Sequence, residues 1–357
     1  MKLEKISLLD YRNIKSEEIF FGDKLNIISG PNGHGKTNIL ESIYLCSTGR
    51  SHRTRFDREL IRFGARDAHV CAALERDGRR ERIDVHIHGS GKKGFAVDSV
   101  PIRKYGDLFG VLLTVLFSPE EMRLVKNSPL YRRRFMDMEL CQLSKIYYYN
   151  LRQYYKVLKQ RNAFLKQTDA VNPDYSLFDV WDSQLAEFGG KITEMRRGFI
   201  KVISGYACEF HEKLSGGKSL EIKYIPNTEG EVLLEKLKKD LKKDILLGST
   251  QSGPHKDDLA FEIEGRDVRI FGSQGEQRTA ALCAKLSEIR IIEERTGTKP
   301  VILLDDVFSE LDGHRKKFLL DMLKDVQVII TSAESLDFAD LEEEIREIKV
   351  FEGKIVE

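Results

Sequence analysis

The sequence has no closely spaced cysteines. Cys46, Cys71, Cys141, Cys208 and Cys283 are scattered without a C-x-x-C pair. This argues against a structural zinc site, a dithiol redox centre or a disulfide-stapled secreted fold, and leaves reduced core residues as the reading. Long apolar runs are also lacking. The longest aliphatic stretches, such as VLLTVLF at 111–117, are strand-sized, and the N-terminal MKLEKISLLDYR carries charges throughout. Roughly 20 apolar residues are needed to cross a bilayer. Neither a membrane-embedded nor an exported chain is expected, and the cytoplasm is the expected location. Neither sign of charge is in excess, since 58 Lys and Arg face 57 Asp and Glu for a net charge of +1. No global field draws the protein to nucleic acid or anionic membrane, so any such contact must come from local patches. Internal repeats and low-complexity linkers are missing as well. What remains is the composition of a globular protein, 357 residues and 41% apolar, enough for one large or two ordinary domains.

One stretch carries chemistry by spacing alone. In IISGPNGHGKTNIL at 27–40, Gly30, Pro31, Asn32, Gly33, His34, Gly35, Lys36 and Thr37 fit the phosphate-loop pattern GxxxxGK[ST], followed by Asn38. The apolar LNII precedes the loop and the helical pattern NILESIYLC follows it, which is the strand, loop and helix context the pattern requires. Glycines let consecutive backbone amides point at a phosphate, and the positive end of the following helix adds to the attraction. Lys36 is placed to reach the β- and γ-phosphates of ATP, and the Thr37 hydroxyl to ligate Mg²⁺. A second Mg²⁺ ligand is expected from an Asp ending a buried strand, and VILLDD at 301–306 supplies Asp305. Roughly 270 residues separate the two motifs, so something large leaves the nucleotide domain and returns.

The intervening chain changes character midway. Residues 68–75, 80–88 and 95–100 read as a meander of short strands separated by Gly-containing turns. From about 129 to 167 the periodicity predicts one helix of roughly 60 Å. After TDAVNPDYS a second helix runs from about 177 toward 214, and the two form an antiparallel arm. LLEKLKKDLKKDILL at 233–247 is a further amphipathic helix, and 258–271 reads as a hairpin. The expected organisation is an N-terminal head part at 1–122, a helical arm at 123–215 and a returning head part at 216–357.

FGSQGEQRT at 271–279 opens another helix, and such a helix start is a second phosphate site. One nucleotide cannot readily use two such helix ends from one head, so this one points to a nucleotide held by another copy. SQGEQ is similar to the signature motif of the ABC ATPases, and SELD at 309–312 resembles their D-loop. A head split by a helical arm resembles the SMC-like branch of that superfamily. LLDYRNI, TGRSHRT, LFSPEEMRLVKNSPLYRRRFMD, SGPHKDDL and GSQGEQRT resemble the RecF family of bacterial recombination-repair proteins along essentially the whole chain.

The resemblance implies an α/β fold: an ABC-type ATPase head, with a P-loop sheet plus antiparallel β meander, and an inserted antiparallel helical arm. It also implies an ATP-dependent homodimer that binds double-stranded and gapped DNA at duplex–single-strand junctions and, with RecR and RecO, helps load RecA. Arg12 and Asn13 are implied near the nucleotide, and Ser273, Gln274 and Gly275 on the γ-phosphate of the opposing subunit. Asp306 stands where most ABC proteins carry a catalytic Glu, with Lys36 as its phosphate-binding partner. The switch position is Thr331 rather than His, and Glu120 or Glu121 stands in place of a clear Q-loop Gln. These departures imply slow hydrolysis. An SMC-like structural tether is the alternative, against which a short arm counts. Arg50, His52, Arg53 and Arg55, together with Arg132, Arg133 and Arg134, are the local basic clusters expected to meet DNA phosphates. His86 and His88, on one side of a strand, read as structural.

Overall fold

A computed structural model of the protein describes residues 1–120, 123–168, 175–332 and 345–356. The chain divides into two compact units, Met1–Met122 with Glu288–Glu357, and Arg123–Ser287.

The first unit begins with a hairpin of β1 (Lys2–Tyr11) and β2 (Ile14–Phe20), then β3 (Leu25–Ser29) and helix α1 (Lys36–Thr48). The meander follows as β4 (Asp67–Arg76), β5 (Arg79–His88), β6 (Lys93–Val97) and β7 (Val100–Pro101), then β8 (Thr114–Phe117). In β4 and β5 apolar residues alternate with polar ones: Ala68, Val70, Ala72, Ile83, Val85 and Ile87 are buried on one face. That period of two is what a half-buried antiparallel strand requires. The meander joins β1 and β2 in a six-stranded antiparallel sheet, order β2-β1-β4-β5-β6-β7.

The second unit holds α2 (Pro129–Leu143), α3 (Lys145–Leu165), α4 (Asp179–Ser215), β9 (Leu220–Ile225), α5 (Leu233–Leu247), β10 (Asp258–Ile263), β11 (Arg266–Asp267), the short α6 (Val268–Phe271) and the start of α7 (Gln274–Thr296). Three expectations need correcting here. The single helix expected over 129–167 is two, because Ser144 takes an extended backbone and its side chain accepts a hydrogen bond from Tyr147 N, capping α3 afresh. The hairpin expected over 258–271 ends at Asp267, where the chain turns into α6. The boundary expected at 215 does not separate compact units: α4 packs against α3 and also against β9 and α5.

The reason is buried charge. Arg161 of α3 donates to Asp182 of α4 at 2.7 Å, to Asp244 of α5 at 2.7 Å and to Thr250 at 2.8 Å. Arg196 of α4 donates to Asp137 of α2 at 2.7 Å, and to Asp257 at 2.9 Å and the Pro254 carbonyl at 2.7 Å. A buried guanidinium is costly unless most of its donors are met, and although Arg161 Nη2 has no partner among the described residues, both arginines knit the antiparallel pair α3/α4 to the residues that follow it.

The chain returns to the first unit along α7 and adds β12 (Val301–Asp305), α8 (Gly313–Met322), β13 (Val328–Ser332), β14 (Ile345–Phe351) and β15 (Lys354–Val356). A second six-stranded sheet has the order β15-β14-β3-β13-β12-β8, parallel from β14 to β8. Its central strands are buried and mostly apolar, as burial on both faces demands, with the buried Asn26, Asp305, Thr331 and Ser332 as polar exceptions. β3 and β12, the strands of the two motifs expected to hold a nucleotide, lie in this sheet with β13 between them.

Candidate functional site

The loop after β3 and the end of β12 meet at the carboxyl edge of the parallel sheet, where open α/β sheets hold their ligands. Two backbone positions make the loop possible. Gly30 has φ of 146° and a Cβ there would sit 2.2 Å from the Val350 carbonyl oxygen. Gly35, the residue before α1, has φ of 115° and a Cβ would come within 2.9 Å of Asn13 Oδ1. No other residue fits either site, and the cradle this leaves suits a phosphate. The loop tip is braced from the opposite end of the chain. His34 O accepts from Gly353 N at 2.9 Å, His34 Nδ1 from Glu352 N at 3.0 Å, and its ring lies 4.7 Å from that of Phe351.

Lys36 donates to the Gly30 and Pro31 carbonyls at 2.6 and 3.0 Å. Burial lowers the pKa of this ammonium, against the opposing pull of Asp306 and Asp305. Thr37 Oγ1 donates to Asp305 Oδ1 at 2.8 Å, and Thr331 Oγ1 donates to the same oxygen at 2.7 Å. Burial on its own would raise the Asp305 carboxyl, but the neighbouring His52 and the two hydroxyls outweigh it and hold it below its ordinary range. An ionised carboxylate beside a hydroxyl is the oxygen donor set a hard divalent cation such as Mg²⁺ takes, so the residues fit that ion.

Asp306 leaves the strand in a left-handed backbone, φ 53°, and its amide donates to the Thr331 hydroxyl at 3.1 Å. This turn separates adjacent carboxylates: Asp305 is buried and Asp306 faces solvent. Thr331, expected at the switch position, thus spends its hydroxyl on Asp305. Of the Q-loop candidates, Glu120 is exposed and Glu121 lies outside the described residues.

Arg12 occupies the two-residue turn between β1 and β2 with φ of 54°. It grips Glu41 of α1 through Nε at 2.8 Å and Nη2 at 2.7 Å. Asn13 donates to His34 O at 3.2 Å and accepts from Asn38 Nδ2 at 2.8 Å, placing Arg12, Asn13 and Asn38 along the loop. Glu41 went unnoticed in the sequence. Its signal is a lone carboxylate within the apolar pattern of α1, and such a buried charge demands partners, here Arg12 and Ser51.

His52 departs from its expected place. Expected in the basic cluster, it is 7% exposed, stacks edge-on against Tyr44 at 5.5 Å and aims Nε2 at Asp305 Oδ2 from 3.8 Å. Neither ring nitrogen has a hydrogen-bond partner.

In the second unit, Ser273, Gln274 and Gly275 open α7. Ser273 Oγ accepts from Glu276 N at 3.2 Å, and Glu276 Oε2 accepts from Ser273 N at 3.0 Å, a reciprocal capping box.

The basic clusters separate. Arg50, Arg53 and Arg55 are exposed, although Arg53 also donates to Asn38 Oδ1 at 2.7 Å. In the segment that follows α1, Phe56 and Phe63 are also open to solvent, Phe63 at 98% exposure. Arg132 corrects the second cluster. It is 1% exposed, paired through Nη2 with Asp258 at 2.9 Å and hydrogen-bonded to the Val125 carbonyl at 3.2 Å. Arg133 donates to the Asp257 carbonyl at 2.7 Å, and Arg134 is half-buried. This triplet secures the start of α2 and does not form one open basic face.

Among the described residues no helix is long and apolar enough to cross a membrane. Residues 2–355 match the family model of the RecF/RecN/SMC N terminal domain. The chain is 44% identical over 361 residues to the DNA replication and repair protein RecF of Lachnospira eligens, covering 100% of this chain and 99% of that one. To the protein of the same description from Clostridium novyi it is 41% identical over 362 residues, 99% of each chain. A solved structure of the recombination mediator protein RecF-ATPrS in the RecFOR pathway superposes with a TM-score of 0.91 at 36% identity, covering 99% of this chain and 97% of that one. A structure of the Smc head bound to the C-winged helix domain of ScpA, 17% identical with a TM-score of 0.57, shares the fold. An α/β head of the ABC ATPase type, with helices inserted between its phosphate loop and its signature segment, and a full-length match to these relatives place the chain in the RecF/RecN/SMC N-terminal domain family, in its RecF branch.

Proposed function

We propose that the protein is an ATP-dependent DNA-binding protein of recombinational repair. ATP joins two copies at gaps or duplex–single-strand junctions, where the dimer helps RecR and RecO load RecA, and slow hydrolysis releases it. The observation that supports this reading most is the convergence of the Thr37 and Thr331 hydroxyls on one carboxylate oxygen of Asp305 beside a glycine cradle. Relatives described as replication and repair proteins, and one solved as RecF-ATP, agree with it.

When bound, ATP with Mg²⁺ supplies the phosphoanhydride to be split and neutralises much of its charge. The chain's own residues position and polarise. Lys36 exchanges its two loop carbonyls for phosphate oxygens, while Thr37 and Asp305 offer the metal ligands. Asp306, turned off the strand by its left-handed backbone, holds the attacking water as a general base. Asp is one methylene shorter than the usual Glu, so this water is held less closely and turnover is slow. Ser273 and the amides opening α7 serve the γ-phosphate of a second copy, trading the Glu276 cap for that contact. For DNA, Arg50 and Arg55 hold phosphates, and Phe56 and Phe63 offer faces on which unpaired bases stack.

The test is sedimentation with ATP or ADP, paired with binding to gapped duplex DNA. ATP but not ADP is expected to give dimer and tighter DNA binding, and Lys36→Met to lose both. A monomer in ATP, or unaltered assembly of Lys36→Met, would overturn the reading.

A further inference from the structure

The outward face of β4 and β5 carries a run of metal-ligating side chains that the nucleotide site does not use. Three successive cross-strand pairs, Asp67 with His88, His69 with His86 and Cys71 with Asp84, fall on that face. Alternate residues of a strand share a face and antiparallel partners stand opposite one another, so the six side chains form two short facing columns. The other face is the apolar core.

Within this set, Asp67, His86 and His88 each bring one ligating atom within 4.8 Å of the others. The two imidazole centroids are 4.3 Å apart, and His88 Nδ1 lies 3.8 Å from Asp67 Oδ1. Tetrahedral zinc, with ligand bonds of about 2.0–2.2 Å, needs its donor atoms about 3.3–3.5 Å apart. Side-chain rotations on the order of an ångström therefore close the three donors onto one ion.

The surroundings favour such a closure. Asp67 Oδ1 accepts from Gly89 N at 2.9 Å, which orients the carboxylate from behind. Opposite His86 on β6 stands Gly94, where even an added Cβ would meet nothing within 4 Å, so the space beside the ring is open. His69 is occupied elsewhere, with Nε2 3.2 Å from Asp84 Oδ1.

We propose that Asp67, His86 and His88 form a binding site for a divalent transition-metal ion, Zn²⁺ fitting best, with a fourth position left to water. The donor set decides the class of ion. Two imidazoles and one carboxylate suit zinc, cobalt or nickel, whereas Mg²⁺ prefers oxygen and keeps its waters, so the Mg²⁺ of the nucleotide site does not compete. The β4–β5 hairpin turns at Asp77 and Gly78, and the site lies at its far end. A bound ion would cross-link the two paired strand ends farthest from the turn.

The probe is Co²⁺, added to metal-free protein without a histidine tag in the presence of millimolar Mg²⁺ and followed through its visible d–d bands. One equivalent is expected to give the intense bands of a low-coordinate site, and Zn²⁺ to displace it. His86→Ala and His88→Ala are expected to abolish the bands, and Asp67→Asn to weaken binding at least tenfold. ATP affinity and the circular dichroism spectrum should be unchanged in all three variants. Absence of the bands in the unaltered protein, or their persistence in the folded His86→Ala and His88→Ala proteins, would overturn the proposal.

Discussion

Single carboxylates and imidazoles set the finest level of control. Asp305 and Asp306 are adjacent, yet one is buried under two hydroxyls and the other faces solvent. Their roles should therefore separate on mutation. Asp306→Asn is expected to bind ATP normally, to lose at least tenfold in phosphate release and to accumulate the ATP-bound dimer, read by combining nucleotide binding, phosphate release and sedimentation. Hydrolysis at the original rate would remove Asp306 from the chemistry. His255 offers a test by pH. Its Nδ1 faces Tyr154 OH at 2.7 Å, its Nε2 faces the Thr250 carbonyl at 3.0 Å, and burial pushes its pKa down to about 4 from an ordinary 6.5. Between those values the unfolded chain takes up a proton that the folded one refuses. Stability accordingly falls as pH drops from 6.5 to 4, by at most about 1.4 kcal/mol per pH unit, and this contribution is flat above that range. Denaturant titrations from pH 7 to 4.5 should show a shallower decline for His255→Gln than for the unaltered protein; equal slopes would assign the acid sensitivity to other groups.

At the level of elements, the opening of α7 is a local pattern with one observed and one proposed purpose. S-Q-G-E at 273–276 is a capping box in the isolated chain, and the same exposed amides and hydroxyl are what a γ-phosphate requires. Losing the cap costs about 1 kcal/mol, too little to unfold a protein of this size. Ser273→Arg should therefore fold and bind ATP as a monomer, the bulky side chain obstructing the approach of a second copy. Sedimentation in ATP checks this. A variant that dimerises and hydrolyses normally would reduce the segment to an ordinary helix start. The helical pair α3/α4 teaches the opposite lesson. Its periodicity was plain, but the buried Arg161 and Arg196 that bind it to α5 and to 254–257 resemble solvated charges when read along the chain.

For the molecule as a whole, the near balance of charge makes the proposed DNA binding depend on a few exposed arginines. The logarithm of affinity should fall linearly with the logarithm of salt, with a slope near 0.9 per phosphate contact, and replacing Arg50 and Arg55 by alanine should reduce that slope by about 2. An unchanged slope would place the DNA surface elsewhere. The sequence by itself determined the GxxxxGK[ST] loop between strand and helix, the strand ending in Asp305, the meander and the helical segments, though not the break at Ser144, because each is written in contiguous residues as glycine spacing or as a period of two or 3.6. Only the tertiary structure decided that Arg132 is buried while Arg50 is exposed, that His52 turns to Asp305, and that Asp67 stands opposite His88. The burial and pairing of a polar side chain depend on which distant strand or helix comes alongside it. Local periodicity encodes which face of an element is apolar and is silent about what that face, or the polar one opposite, will meet.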